Sequence, residues 1–168
     1  HAIGGSYNGE PIGNCSYSDI TIFSFHPVKI ITTAEGGAAL TNDPDLAKKM
    51  TLHRSHGVTR DEKDMTEISH GPWYYQQITL GYNYRITDIQ CALASSQMDK
   101  IDMFIDERRS MAKFYDEAFA ELPNITPLQK HGRDNSSHHI YVASIDFENI
   151  GLSRHQFMQK LAEQGVGS

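Results

Sequence analysis

Lys29 is the residue in this sequence best placed to do covalent chemistry. It follows Phe23-Ser24-Phe25-His26-Pro27-Val28 and precedes Ile30-Ile31-Thr32-Thr33-Ala34-Glu35-Gly36-Gly37. The segment Asp19 to Phe25 is rich in β-branched and aromatic residues, which predicts a buried strand with Ile20, Ile22 and Ser24 on one face. Pro27 ends it. A lysine just past such a strand can be held in a partly desolvated pocket. Desolvation disfavours an ammonium relative to a free amine, and a free amine forms Schiff bases with carbonyl compounds. Ser24 lies on the same segment and offers a hydroxyl to a phosphate, with nearby backbone amides to assist. The plainer reading is a surface lysine after an edge strand, and spacing alone leaves both open.

Other residues invite a similar choice. Asn83 and Arg85, in Gly81-Tyr82-Asn83-Tyr84-Arg85, can reach a phosphate or a carboxylate; the loop can equally be packed by its tyrosines. Trp73-Tyr74-Tyr75 can stack on a ring, but we read it as filling a subunit interface. Nine histidines raise the question of metal binding. The closest pairs are His138-His139 and His53-x-x-His56, yet there is no His-Glu-x-x-His and no Cys-x-x-Cys. We read them as surface histidines and expect no metal. Cys15 and Cys91 are too few for a disulfide scaffold and read as free thiols of a cytoplasmic protein.

The elements that must position these groups follow from composition and periodicity. The chain has 168 residues, 39% hydrophobic and 10% aromatic, which excludes a disordered tail. At that length roughly two-thirds of the unfolded surface can be buried, so a sizeable core is expected. The net charge of −6 excludes a basic footprint for nucleic acid. No apolar run approaches the ~18–20 residues of a membrane span. Turns are expected between Gly4 and Gly13, and a second strand over Ala38 to Thr41. Asn42 or Asp43 caps a helix that has Pro44 in its first turn and runs to about His53. A long connection covers 57–80. Thr87-Asp88 caps a helix through about Lys100, whose Ala92, Ala94, Ser95 and Ser96 suggest close packing. The next helix, from Ile101 to Leu122, carries apolar residues every three or four positions and stops at Pro123-Asn124. A polar loop over 129–137, a strand over 139–147 and a helix capped by Ser153 complete the chain. This order gives an α/β or α+β protein without internal repeats.

Several of these motifs together resemble the DegT/DnrJ/StrS family of sugar aminotransferases. The lysine segment Ser24-Phe25-His26-Pro27-Val28-Lys29 with Ile31-Thr32-Thr33-Ala34-Glu35-Gly36-Gly37 is similar to the family's lysine motif. His1-Ala2-x-Gly4 is similar to the tail of its Asp-x-x-His-Ala motif. Arg54-Ser55-His56-Gly57 and Leu80-Gly81-Tyr82-Asn83-Tyr84-Arg85 with Thr87-Asp88 also fit, in the family's order. Gly71-Pro72-Trp73-Tyr74-Tyr75 and Ser136-Ser137-His138-His139-Ile140-Tyr141 point more narrowly to members that serve pseudaminic acid biosynthesis.

The resemblance implies an α/β, aspartate-aminotransferase-like fold (type I among pyridoxal-phosphate enzymes). Residues 1–100 would be the C-terminal part of the large cofactor domain, 101–122 a linking helix, and 123–168 the start of a small domain. It implies pyridoxal phosphate held by Lys29 through a Schiff base, with Ser24 on its phosphate and His1 close to its ring. Asn83 would reach the cofactor phosphate of a neighbouring subunit, hence a homodimer. The implied reaction moves an amino group from L-glutamate to the C-4 keto group of a UDP-linked 4-keto-6-deoxy-N-acetylhexosamine. Amination of a dTDP- or GDP-sugar, or a non-catalytic interaction module on the same fold, are the alternatives. The family's dehydrating relatives replace the anchoring lysine with histidine, so Lys29 favours transamination. The chain opens on His1 and stops at Gly165-Val166-Gly167-Ser168. We therefore read it as an inactive fragment, lacking the upstream aspartate that pairs with the pyridinium nitrogen.

Overall fold

The computed structural model describes residues 1–128 and 134–167. Most of the expected polar loop, 129–133, therefore lies outside the described residues. The elements in chain order are β1 (Ser6–Tyr7), β2 (Glu10–Pro11), β3 (Thr21–Ser24), β4 (Gly37–Leu40), α1 (Pro44–Arg54), β5 (Val58–Thr59), β6 (Gln76–Gln77), α2 (Asp88–Met98), α3 (Ile101–Ala120), β7 (Ile125–Pro127), β8 (Asp134–Asn135), β9 (Ala143–Ile145) and α4 (Arg154–Glu163). Among the described residues every strand pair is antiparallel: β1 with β2 and β8, β3 with β4, β5 with β6, β7 with β9.

Three of the helices begin where side-chain chemistry says they should. Asp43 accepts from the Asp45 and Leu46 amides at 2.8 and 3.1 Å, and Pro44 needs no acceptor at the first position of α1. Thr87 and Gln90 form a reciprocal capping box on α2, and Ser153 and Gln156 do the same on α4. α3 has no side-chain cap. It depends instead on its apolar stripe, which buries Ile105 and Ala112.

Strand expectations fared less well. β3 is shorter than expected, and its faces are inverted: Phe23 points inward while Ile22 is 66% exposed. The side-chain period of two makes this an all-or-none choice, and the large aromatic ring won the buried side. The expected strand over 139–147 contracts to β9, because the carbonyls of His138 and His139 are taken by Arg108 instead of a ladder partner. Its true partner, β7, comes straight after the Pro123-Asn124 stop and was not expected. The small residues of α2 do not pack closely either; Ala92, Ser95 and Ser96 are exposed.

The core is smaller than chain length suggested. Among the described residues the buried apolar side chains are Phe23, Ile30, Ile31, Ile105 and Ala112. The accessible surface is 12232 Å², against roughly 8,300 Å² for a compact monomer of this mass. Two-stranded pairs have two faces, and within this chain most are covered on one at most.

Candidate active site

The best-buried stretch of the molecule immediately follows Lys29: Ile30, Ile31 and Thr33 are all buried, the last completely. The loop between β3 and β4 is closed by its own backbone. The Phe25 amide donates to the Gly36 carbonyl at 2.9 Å, adding one rung beyond the β3–β4 ladder. The Phe25 carbonyl accepts from the Thr33 amide and from the Thr32 hydroxyl, each at 2.9 Å. The Lys29 amide turns back to the His26 carbonyl at 3.0 Å. The lysine thus rides on a fixed turn between a strand and a buried segment.

Helix α2 clamps this loop from outside. Gln90 Nε2 donates to the carbonyls of Thr33 (3.3 Å) and Glu35 (2.7 Å), while Gln97 Oε1 accepts from the Thr32 amide at 2.9 Å. Gln90 and Gln97 stand seven residues apart, two helical turns, and so share one face. Sequence reasoning passed over both; their polarity at half-buried helix positions was the available signal.

The side chain of Lys29 meets a residue from far along the chain. Its Nζ lies 3.4 Å from His139 Nε2. His139 sits in the irregular segment between β8 and β9. Arg108 on α3 holds that segment, its Nη1 donating to the carbonyls of His138 (3.1 Å) and His139 (3.3 Å). Arg109 Nε adds a bond to the Ser136 carbonyl at 3.2 Å, and Ser137 is buried. The His139 imidazole is not the surface group expected. Burial, then the positive charges of Lys29 and Arg108, hold its pKa below the ordinary histidine value. Its Nδ1 is buried with no hydrogen-bond partner among the described residues.

His1 joins the same cluster, its ring centroid 4.9 Å from that of His139 at an interplanar angle of 38°. The following turn, closed by the Gly5 amide on the Ala2 carbonyl at 2.9 Å, runs against α3. Gly4 has φ +75°, and a Cβ there would overlap the Ile105 side chain. Only glycine allows both that conformation and that approach. Ser24 ends β3 at the entry to the lysine loop. Its Oγ accepts one long bond from the His26 amide (3.5 Å), and its hydroxyl hydrogen has no acceptor among the described residues.

Asn83 stands apart. Its strand-like segment pairs with the end of α1: the Tyr82 amide donates to His53, the His56 amide to Tyr82, and the Tyr84 amide to Arg54, at 2.7, 2.8 and 2.9 Å. Ser55 and Asn83 form the bridge, and a Cβ on Gly81 would fall on the Gly57 backbone. Two separate sequence motifs are therefore one structural unit. It leaves the Asn83 side chain exposed, with no hydrogen bond to Ser24, Lys29 or His1. Tyr82 and Tyr84, flanking it, stack on each other at 4.8 Å.

Among the described residues, no cluster of His, Cys, Asp and Glu could hold a metal ion, and no helix is long and apolar enough to cross a membrane. Cys15 and Cys91 are both free.

Comparison with known proteins places this geometry. The sequence profile of the DegT/DnrJ/EryC1/StrS aminotransferase family matches residues 1–168. A Campylobacter jejuni protein, UDP-4-amino-4,6-dideoxy-N-acetyl-beta-L-altrosamine transaminase, is 35% identical over 167 residues, covering 99% of this chain and 41% of the relative. PseC of Helicobacter pylori, an aminotransferase involved in the biosynthesis of pseudoaminic acid, superposes with a TM-score of 0.84 at 33% identity, covering 98% of this chain and 41% of that structure. A Streptococcus pneumoniae structure described as a sugar aminotransferase in its PLP form gives 0.82 at 33% identity, over 99% and 41%. The chain thus spans about two-fifths of the length of these relatives and has the expected aspartate-aminotransferase-like fold.

Proposed function

The chain belongs to the DegT/DnrJ/EryC1/StrS aminotransferase family, and from that membership we propose that the protein carrying it is a pyridoxal-phosphate-dependent nucleotide-sugar aminotransferase. It transfers the amino group of L-glutamate to the C-4 keto group of a UDP-linked 4-keto-6-deoxy-N-acetylhexosamine, as in pseudaminic acid biosynthesis. The altrosamine transaminase and PseC among its relatives support that sugar class. The observation that carries the reading is the placement of Lys29: a flexible amine on a loop held by backbone bonds and two glutamines, facing a half-buried imidazole.

The residues present fit the cofactor. Lys29 Nζ would hold its aldehyde carbon, the spare hydroxyl of Ser24 its phosphate, and His1 would lie near its ring. When bound, pyridoxal phosphate supplies an electron sink for a carbanion beside nitrogen. Lys29, once free, takes the proton from the reacting carbon at Nζ and returns it on the other side of the exchange. The β3–β4 loop and α2 fix the backbone from which that amine reaches the reacting carbon, which shortens its search for the transfer geometry. The exposed Asn83 supports a homodimer in which it reaches the partner's cofactor phosphate. Residues 1–100, 101–122 and 123–168 are assigned to the large domain, the linking helix and the start of the small domain.

The test uses the protein carrying this chain. After incubation with pyridoxal phosphate, borohydride should fix the label on Lys29, and Lys29→Ala should abolish both label and turnover. Labelling of another lysine would overturn the assignment. Assays with UDP-, dTDP- and GDP-linked 4-keto-6-deoxy sugars decide the nucleotide.

A further inference from the structure

We propose that His139 is a positioning residue for Lys29: it accepts the Lys29 hydrogen bond at Nε2 and offers its Nδ1–H to an oxyanion of the bound ligand. The identity of that ligand rests on the aminotransferase reading; the contact with Lys29 does not. With no cofactor bound, an ammonium at Lys29 has three donors and no acceptor. The ring nitrogen facing it at 3.4 Å must then present a lone pair. The single ring proton of a neutral imidazole therefore sits on Nδ1. Burial and the charges of Lys29 and Arg108 keep the ring neutral.

That leaves a buried N–H with no partner among the described residues, an arrangement native proteins avoid unless the group has a use. Arg108 cannot complete it: it is a donor, and its Nη1 is engaged with the carbonyls of His138 and His139. The charged groups acting on the ring, Lys29, Arg108 and the amino group of His1, are all positive. An acceptor entering this space is favoured if it is negative, so a carboxylate or phosphate oxygen fits. The segment carrying His139 is held by Arg108 and Arg109, which fixes the ring before the ligand arrives.

The test reads the ring and the amine without cofactor, in the protein carrying this chain. With ¹⁵N-labelled histidine, NMR should show His139 protonated at Nδ1. Acetate and inorganic phosphate are then added separately. A shift of the Nδ1 resonance with acetate assigns a carboxylate, and a shift with phosphate assigns a phosphate. Acylation of Lys29 at fixed pH is then compared in the wild type, His139→Gln and His139→Asn. The glutamine amide oxygen can occupy the Nε2 position, whereas asparagine reaches only the Nδ1 position. Losing a hydrogen bond to a charged amine should speed acylation on the order of tenfold in His139→Asn, with His139→Gln close to wild type.

Equal acylation in the two variants, a ring protonated at Nε2, or an Nδ1 resonance unmoved by either anion would each overturn the proposal. The wild-type spectrum decides even if a variant fails to fold. Failure of borohydride labelling at Lys29 would instead overturn the aminotransferase reading and leave these outcomes standing.

Discussion

Two connecting segments of this protein carry its most informative side chains, and they are built in opposite ways. The loop between β3 and β4 is gripped from within by backbone bonds and from outside by Gln90 and Gln97, with Ile31 and Thr33 almost wholly buried. The connection from Val58 to Leu80 is ordered but held lightly. It has the short β5–β6 pair, the Thr66 amide on Gln76 Oε1 at 2.8 Å, and an ion pair from Lys48 on α1 to Asp64. Several of its apolar side chains face out, Trp73 at 72% and Ile68 at 85% exposed. Burial of Ile31 and Thr33 fixes the backbone that carries Lys29, the amine assigned to the cofactor in the proposed function. Trp73 and Tyr75 are open to solvent, so the subunit interface proposed for this segment has exposed aromatic rings to draw on.

Substitutions can break this contrast. Ile31→Ala should have the largest effect, a loss of about 2–5 kcal/mol in urea unfolding, because a fully packed side chain leaves a cavity. Gln97→Leu leaves the Thr32 amide without its acceptor and should cost about 1–2 kcal/mol; reduced fixation of the label on Lys29 would show that the clamp aims the amine. Trp73→Ala should change unfolding of the monomer by no more than about 0.5 kcal/mol while weakening self-association in sedimentation. A large loss of monomer stability there would put Trp73 in the core and erase the contrast. Lys48→Met should leave neutral-pH stability unchanged, since exposed ion pairs contribute little.

Two titrations sharpen the picture. Burial first, then the hydrogen bond to Asp116 (2.8 Å), push Tyr141 up to about 12. The folded state keeps this proton after the unfolded chain has lost it. The associated stability is thus complete below an unfolded pKa of about 10 and is lost as pH rises toward the folded value. Tyr141→Phe should remove this alkaline loss. His139 has the opposite sense. Its folded pKa is lowered, so its contribution is complete above about 6.5 and disappears as pH falls through the lower folded value. His139→Gln should flatten the acid limb of the stability profile.

Helices were readable from the sequence because their determinants are local. Asp43, Thr87 and Ser153 cap within three residues of themselves, and the stripe from Ile101 declares α3. The lysine motif that points to the family was readable for a related reason: it is contiguous. The strands were harder, since Phe23 and Ile22 compete for one buried side and only tertiary packing decides. The pairing of β7 with β9 depends on what lies across from each, which no periodicity encodes. His139 was missed because its meaning is relational. The sequence holds nine histidines, and what distinguishes this one is that Arg108, a polar residue on an apolar helix face, holds its backbone. Asn83 keeps its proposed role because its side chain stays open while its backbone is pinned to Ser55.

The meeting of Lys29 and His139 also dictates an order of assembly. The two residues are separated by 110 positions, so the contact closes a loop covering most of the chain. Closure entropy grows only slowly with loop length, but contacts of such long range form late in folding. During synthesis, the β3–β4 turn and its clamp on α2 can fold well before His139 emerges. The turn that carries the amine is therefore made from neighbouring residues, whereas the imidazole that faces it reaches its place only when a long loop closes.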